Sequence, residues 1–394
     1  MNESEMSIPL SQPSITQVEI EAVLAVLRTS TLSLGPRVRA FERAVAEYVG
    51  VAEAVAVNSG TSGLHLCLAS LDIGPGDEVI TTPFSFVASA NCALYQGARP
   101  VFADIDPRTL NLDPACVEDR ITPRTRAIVA VDVFGQPADI EALGAIAERY
   151  NLVLVQDACE AIGAERNARR VGGQAKAAVF AFYPNKQITT GEGGMIVTDD
   201  PAHARLLRSM ANQGRDDDGT WMNHVRLGYN YRLDEMSAAL GLAQVGRIDE
   251  ILARRERVAR WYGERLLAQR DVQIPYVAPE TTRMSWFVYV VRLDERIDRA
   301  ALMAGLGADG IPTRPYFVPI HQQPFYRERF GYRTGDFPVT DRIAPTTLAL
   351  PFFTDMTEAQ VDYVCDRLIG HIERQGDRPD ARSGRPSRRR EVAV

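Results

Sequence analysis

The stretch VFAFYPNKQITTGEGGMIVT, Val179 to Thr198, decides how the rest of the chain is read. The apolar run Ala177 to Tyr183 has the look of a buried strand, and Met195 to Thr198 has the look of a second. Between them a short polar loop presents one lysine, Lys186, followed by two threonines and three glycines. A lysine is costly to bury unless its charge is shifted, paired or used. A glycine-rich loop lets another molecule come close to the backbone. A lysine amine enclosed in such a loop is a nucleophile whose usual product with a carbonyl is a Schiff base. The plain alternative is a loop lysine that points to water.

Outward from this stretch, short Val- and Ile-rich runs recur on the N-terminal side. They are Glu53–Val57, Glu78–Thr81, Pro100–Ile105, Ala127–Val133 and Leu152–Gln156. Helical segments are expected between them at Ser62–Leu71, Val87–Tyr95 and Asp139–Tyr150, and ahead of them at Thr16–Arg28 and Pro36–Tyr48. With the two runs around Lys186 the count reaches about seven strands. Continuous apolar strands alternating with helices indicate an α/β fold with a mainly parallel sheet covered on both faces. Ligands bind such sheets beyond the carboxyl ends of the strands. On the C-terminal side a long helical stretch is expected over Asp234–Leu267. A strand follows at Trp286–Leu293, then a strand or loop at Gly310–Pro319, and a last helix at Thr357–Arg374. Residues 8–13, IPLSQP, read as an extended arm.

The chain of 394 residues, 45% hydrophobic and 24% charged, suits a large domain with a smaller one. Its net charge of −7 argues against a general nucleic-acid binder. Five widely spaced cysteines with no CxxC pattern suggest reduced thiols, no metal site and a reducing, cytoplasmic setting. No secretory signal and no run of about 18 apolar residues is seen, so no membrane partner is expected.

Three further motifs fall just after strands. NSGTSGL, Asn58–Leu64, opens a helix with small residues and hydroxyls. It reads as an anion cradle or as ordinary N-capping by Ser59 or Thr61. It lacks the Walker lysine and the GxGxxG spacing. TPFSF, Thr82–Phe86, offers aromatics that either stack on a flat ring or fill the core. QDACEA, Gln156–Ala161, places Asp157 and Glu160 at a strand end, as ligands of a heteroaromatic ring or as a helix cap. With Lys186 these motifs supply what pyridoxal phosphate (PLP) requires: an amine for its aldehyde, an acid for its ring nitrogen, an aromatic for its face and a cradle for its phosphate.

Read together, QDACEAIGA, FYPNKQITTGEGGMIVTDD and LGYNYRLDEMSAALGLAQ resemble the DegT/DnrJ/EryC1/StrS sugar aminotransferases. NSGTSGLHLCL, TTPFSFVASAN and PYFVPIHQQPFY fit the same family, and the resemblance spans most of residues 8–370. It implies a PLP-dependent fold type I aminotransferase. Its seven-stranded large domain with the N-terminal arm would take residues 1–250. A small C-terminal α+β domain would take 251–375, and a disordered Arg-rich tail 376–394. It also implies a homodimer with shared active sites. By motif, Lys186 matches the Schiff-base lysine and Asp157 the partner of the pyridine nitrogen. Phe86 matches the stacking aromatic, Gly60 and Thr61 the phosphate contacts, and Glu160 the position beside the phenolic oxygen. Asn230 matches the asparagine that reaches the phosphate from the neighbouring subunit. Tyr183, Tyr316 and His321 are substrate-side candidates, alongside the alternative of core tyrosines and a satisfied histidine.

Two positions depart from the pattern. Ala181 stands where many relatives have a phosphate-binding serine. Glu160 is glutamine or histidine in some relatives, and a carboxylate beside a phenolate repels it unless one of them is protonated. The expected reaction moves an amino group from L-glutamate to a nucleotide-linked keto-sugar, with a lean to 4-keto-6-deoxy sugars. Keto-inositol aminotransferases and aminobenzoate-precursor synthases share the cofactor residues. A sugar dehydratase would replace the lysine. A non-catalytic regulatory or binding homologue is the alternative of another class.

Overall fold

The computed structural model describes residues 8–216 and 222–376. The expected tail from 377 onward lies outside the described residues. Seven strands form the main sheet: β1 (Glu53–Val57), β2 (Glu78–Thr81), β3 (Arg99–Phe102), β4 (Thr125–Val131), β5 (Val153–Asp157), β6 (Ala177–Ala181) and β7 (Gly194–Thr198). Their order across the sheet is β1-β7-β6-β5-β4-β2-β3. β3, β2, β4, β5 and β6 run parallel to one another, and β7 is antiparallel to both of its neighbours.

Both faces of this sheet are covered, so its strands carry continuous apolar runs. Along β6 the side chains alternate between two cores. Phe180 packs with Phe41 and Val45 of the helix Pro36–Val49, and Val179 packs with Leu64 and Leu66 of the helix Gly60–Ala69. A third core, with Ile128, Leu143 and Leu154, lies under the helix Ile140–Arg149. The helix starts follow capping chemistry. Thr16 and Glu19 form a reciprocal capping box at the helix Gln17–Leu27, and Asp139 and Asp200 cap two others.

A second, three-stranded antiparallel sheet joins Val272–Gln273, Tyr289–Leu293 and Thr347–Leu350. Helices Ile248–Leu266, Arg299–Ala308 and Glu358–Gly376 bury Tyr262, Leu302, Leu306 and Leu368 against it. The N-terminal arm reaches this core: Ile8 is buried in it, and the Leu10 carbonyl accepts from the Phe352 amide at 2.9 Å.

On the C-terminal side the structure refines two expectations and corrects one, the start of the strand at Trp286–Leu293. The helical stretch expected over Asp234–Leu267 is made of two helices, Glu235–Val245 and Ile248–Leu266. They break at Arg247, whose φ of −119° is not helical and whose Nη1 donates to the buried Glu19 at 2.7 Å. The strand at Trp286–Leu293 begins only at Tyr289. Trp286 sits at φ 51°, and the Phe287 amide bonds the Phe134 carbonyl, just after β4, at 3.2 Å rather than a sheet neighbour. Of the strand or loop expected at Gly310–Pro319 the structure has the loop, with one bridge, Arg314 to Ala349.

Candidate active site

The carboxyl ends of β1, β2, β4, β5 and β6 point to one edge of the main sheet, and a cavity of about 470 Å³ opens there. Gly60, Thr61, Phe86, Asp157, Glu160, Tyr183, Lys186 and Tyr316 all line it. Residues from motifs spread over more than 250 positions of sequence therefore meet at one place (316 − 60 = 256).

Lys186 sits on a loop that is closed at its base. The Phe182 amide bonds the Gly193 carbonyl at 2.9 Å, and the Phe182 carbonyl accepts from Thr190 at 3.0 Å. A tight turn, Lys186 amide to Tyr183 carbonyl at 2.9 Å, throws the lysine side chain inward, where it is 13% exposed. Its Nζ stands 3.6 Å from Glu160 Oε1 and 3.8 Å above the centroid of the Phe287 ring.

Asp157 ends β5 and is buried. Its Oδ2 accepts from the Ser89 hydroxyl at 2.6 Å, and Ser89 in turn contacts the Ser85 hydroxyl at 2.8 Å. Its Oδ1 accepts from the Cys159 amide at 3.2 Å, so the acid also closes the turn after the strand. Glu160, three residues on, accepts from the Phe134 amide at 2.9 Å. Burial pushes the Glu160 carboxyl above its usual range, and Lys186 and the Phe134 amide pull it back only in part.

The cradle lies at the start of the helix Gly60–Ala69. Ser59, not Thr61, is its cap: the Ser59 hydroxyl accepts from the Ser62 amide at 3.0 Å. The amides of the first turn are thus directed to the cavity wall, where an anion is favoured. Gly60 has no room for a side chain, because a Cβ there would stand 2.8 Å from both the Ala181 Cβ and the Cys159 Sγ. Of the TPFSF aromatics, Phe84 is core and Phe86 stands 62% exposed at the cavity mouth.

Tyr316 also lines the cavity wall, and burial raises its hydroxyl. Asn185, beside the lysine, has a buried Oδ1 with no protein partner. His321 is not part of this site. It is fully buried, its Nε2 contacts Asp341 at 2.9 Å, and its ring packs edge-on to Phe337. Its Nδ1 is buried without a protein partner, so only one of its two ring nitrogens is hydrogen-bonded. Asn230 is exposed and does not line this chain's own cavity.

Among the lining residues that the sequence reading did not single out are Ser89, Asn185 and Phe287. Ser89 had a signal, since it follows Ser85 by four residues on the helical turn after β2. Phe287 had none, because only the meeting of the two sheets brings it under the lysine.

The chain matches the DegT/DnrJ/EryC1/StrS aminotransferase family over residues 13–369. It belongs to that family. A GDP-perosamine synthase of Caulobacter vibrioides is 41% identical over 366 residues, 92% of this chain and 97% of that protein. The spore coat polysaccharide biosynthesis protein SpsC of Bacillus subtilis is 38% identical over 374 residues, 92% of this chain and 96% of that one. Among solved structures, Helicobacter pylori PseC, an aminotransferase involved in the biosynthesis of pseudoaminic acid, superposes with a TM-score of 0.88. It is 29% identical, covering 94% of this chain and all of that one. The protein is a sugar aminotransferase with the fold type I architecture, and its cofactor is pyridoxal phosphate. The residues present suit that cofactor. The amine, the buried acid, the anion-directed helix start and a glycine that a Cβ would displace all face one cavity.

Proposed function

We propose that this enzyme transfers the amino group of L-glutamate to the keto carbon of a nucleotide-linked sugar, with a 4-keto-6-deoxy sugar as the favoured acceptor. The observation that carries the reading is the shape of the mouth. Past Ser85, Phe86, Tyr316 and Phe317 the cavity continues into an open groove of about 790 Å³. Phe86, Tyr95, Phe325 and Arg329 line this groove, so it offers ring faces for a base and a guanidinium for a diphosphate. A bare keto-inositol or an aminobenzoate precursor would leave it unfilled. The GDP-linked sugar in the name of the Caulobacter relative supports the same class of acceptor.

Bound pyridoxal phosphate supplies an electron-accepting ring that lets the Cα proton of an amino acid leave. In this reading Lys186 holds the aldehyde carbon, and its Nζ takes up and returns that proton. Asp157 keeps a proton on the ring nitrogen and is itself held by Ser89. Gly60 and Thr61 present amides to the phosphate, and Phe86 covers the ring. Glu160, lifted by burial, can carry a proton toward the phenolic oxygen and so avoid the repulsion between two anions. Tyr183 and Tyr316 stand where the sugar enters.

The active unit in this reading is a homodimer working in the cytoplasm. Asn230, exposed and outside its own cavity, serves the phosphate of a second copy. Support comes from the exposed apolar residues Val18, Leu24, Leu27, Leu32 and Leu34, and from Met222, Val225 and Leu227, close to Asn230 in sequence. Among the described residues no helix is long and apolar enough to cross a membrane.

Assaying nucleotide keto-sugars and scyllo-inosose with L-glutamate tests the proposal. Turnover confined to nucleotide-linked acceptors is expected. Preferential turnover of the inosose overturns the acceptor class, and failure of glutamate to convert the bound cofactor to its pyridoxamine form restores the non-catalytic alternative. Lys186→Ala is expected to lose the visible absorbance of the bound cofactor together with turnover.

A further inference from the structure

On the aminotransferase reading, Lys186 spends part of every cycle with its amine unattached and carrying a proton. The structure shows what stands around that amine: the face of Phe287 at 3.8 Å and the Glu160 carboxylate at 3.6 Å. Neither is a direct hydrogen-bond acceptor at that distance. A ring face attracts a cation without offering an atom that could take its proton. When it is ionised, the Glu160 carboxyl group, just beyond hydrogen-bond reach, adds attraction in the same sense.

Both neighbours are held by one interlocked set of bonds. The Phe134 amide donates to Glu160 Oε2 at 2.9 Å, and the Phe287 amide donates to the Phe134 carbonyl at 3.2 Å. Gln187, next in sequence to the lysine, donates to the Glu160 carbonyl at 2.6 Å and to the Ser285 hydroxyl at 2.8 Å. Gly135, at φ 94°, lets the strands of this knot touch, since a Cβ there would lie 2.7 Å from Ser285 Oγ and 2.9 Å from the Trp286 nitrogen.

Arg255 closes the set from the other side. It is fully buried, donating from Nε to the Trp286 carbonyl and from Nη2 to the Phe287 carbonyl, each at 2.8 Å. A buried guanidinium spent on backbone carbonyls is an expensive way to hold a loop unless the loop's position matters.

We propose that Phe287 and Glu160 form a resting site that keeps the Lys186 ammonium and its proton aimed into the cavity while the amine is unattached, with Arg255 as the positioning residue of that site. The ring supplies attraction with no acceptor, so the proton stays on Nζ for return to the substrate. Phe287 thus serves the transfer step rather than substrate binding.

The sequence contains two lysines, Lys176 and Lys186, which makes amine labelling easy to read. Cofactor-free protein is treated with acetic anhydride, and acetylation of each lysine is followed by peptide mass spectrometry, with Lys176 as the internal reference. Phe287→Met keeps apolar bulk and removes the ring face, whereas Phe287→Tyr keeps the face. Labelling of Lys186 relative to Lys176 is expected to rise about fivefold in F287M and to stay within about twofold of the wild type in F287Y. In the cofactor-loaded enzyme, F287M is expected to slow the glutamate half-reaction about tenfold at unchanged KM, with a larger isotope effect from α-deuterated glutamate, and F287Y to restore both. Equal labelling in all three proteins, or equal kinetic loss in F287M and F287Y, overturns the proposal. Because it rests on the aminotransferase reading, one arm isolates that reading. If added pyridoxal phosphate leaves Lys186 of the wild type as open to label as before, the reading itself has failed, whatever Phe287 does.

Discussion

Ser89 donates its hydroxyl to Asp157 at 2.6 Å, a bond between two buried side chains that both line the cavity. Hydrogen bonds to a charged group contribute about 1.5–3 kcal/mol, more than those between neutral groups. Ser89 thereby fixes the direction in which the acid faces the cavity. Ser89→Ala is expected to weaken pyridoxal phosphate binding by about tenfold or more, with folding little changed. Fluorescence titration of cofactor-free protein reads this directly. Ser85→Ala, one bond further away, should cost only a few-fold, and a reversed ranking would show that Ser89 is not the residue that orients the acid.

Gly60 makes a different kind of demand, for space. A methyl group there meets Ala181 and Cys159 at 2.8 Å each, and both neighbours belong to the sheet edge that the helix start must approach. Gly60→Ala is expected to cost about 1–3 kcal/mol of stability and to loosen cofactor binding by about tenfold or more, as the opening turn is pushed off the strands. Gly307→Ala is the control, since nothing lies within 4 Å of a Cβ at that helical position. It should gain up to about 1 kcal/mol. Thermal unfolding of both variants, with cofactor titration of the first, separates steric blockage from the general effect of adding a methyl to a helix.

What could be read from the chain alone followed physical locality. The strands of the main sheet were legible because burial on both faces makes each a continuous apolar run, and β1 and β2 fall on the expected residues. The ends of β3 and β4 shift by one to three residues, because they are set by pairing with neighbours and not by composition. Lys186, Asp157, Glu160 and Gly60 were legible because each follows a strand end, where the fold delivers side chains to one edge. The break at Arg247 was not, because it depends on a bond to Glu19 more than 200 residues earlier (247 − 19 = 228). Phe287 was hidden for the same reason, reading locally as part of a strand. His321 misled because a histidine in a tyrosine-rich motif looks alike whether it faces a ligand or, as here, Asp341.

Asp132 carries a pH dependence. It is fully buried at the end of β4, accepting from the Ala138 amide at 2.7 Å and from Gln156 Nε2. Burial, with Asp157 and Glu160 adding repulsion, raises its carboxyl from 3.8 to about 7. Between those two values the folded chain keeps a proton that the unfolded chain has released, so this group's contribution is full below pH 3.8 and drains away as pH rises to about 7. The loss is on the order of 2–4 kcal/mol. Asp132→Asn keeps an oxygen for Ala138 and offers an amide hydrogen to Gln156, whose Oε1 has no partner. The variant should therefore gain on the wild type as pH rises from 5 to 8. Urea unfolding of both proteins at the two pH values tests this, and a constant gap between them would contradict it.

Ala181 invites the reverse experiment, restoring a group instead of removing one. Its Cβ lies beside the first turn of the helix Gly60–Ala69, where amides without helical partners face the cavity. A hydroxyl at that point would add a donor to a cradle that already favours an anion through those amides and the helix dipole. One new hydrogen bond contributes about 1 kcal/mol, so Ala181→Ser is expected to tighten pyridoxal phosphate binding by about three- to tenfold. Pyridoxal, which lacks the phosphate, should bind the two proteins equally, so the ratio of the two ligands isolates the cradle. If the serine tightened both ligands alike, its hydroxyl would be acting on the ring or the lysine loop. If it weakened pyridoxal phosphate alone, the phosphate would have to sit on a part of the cavity wall other than this helix start.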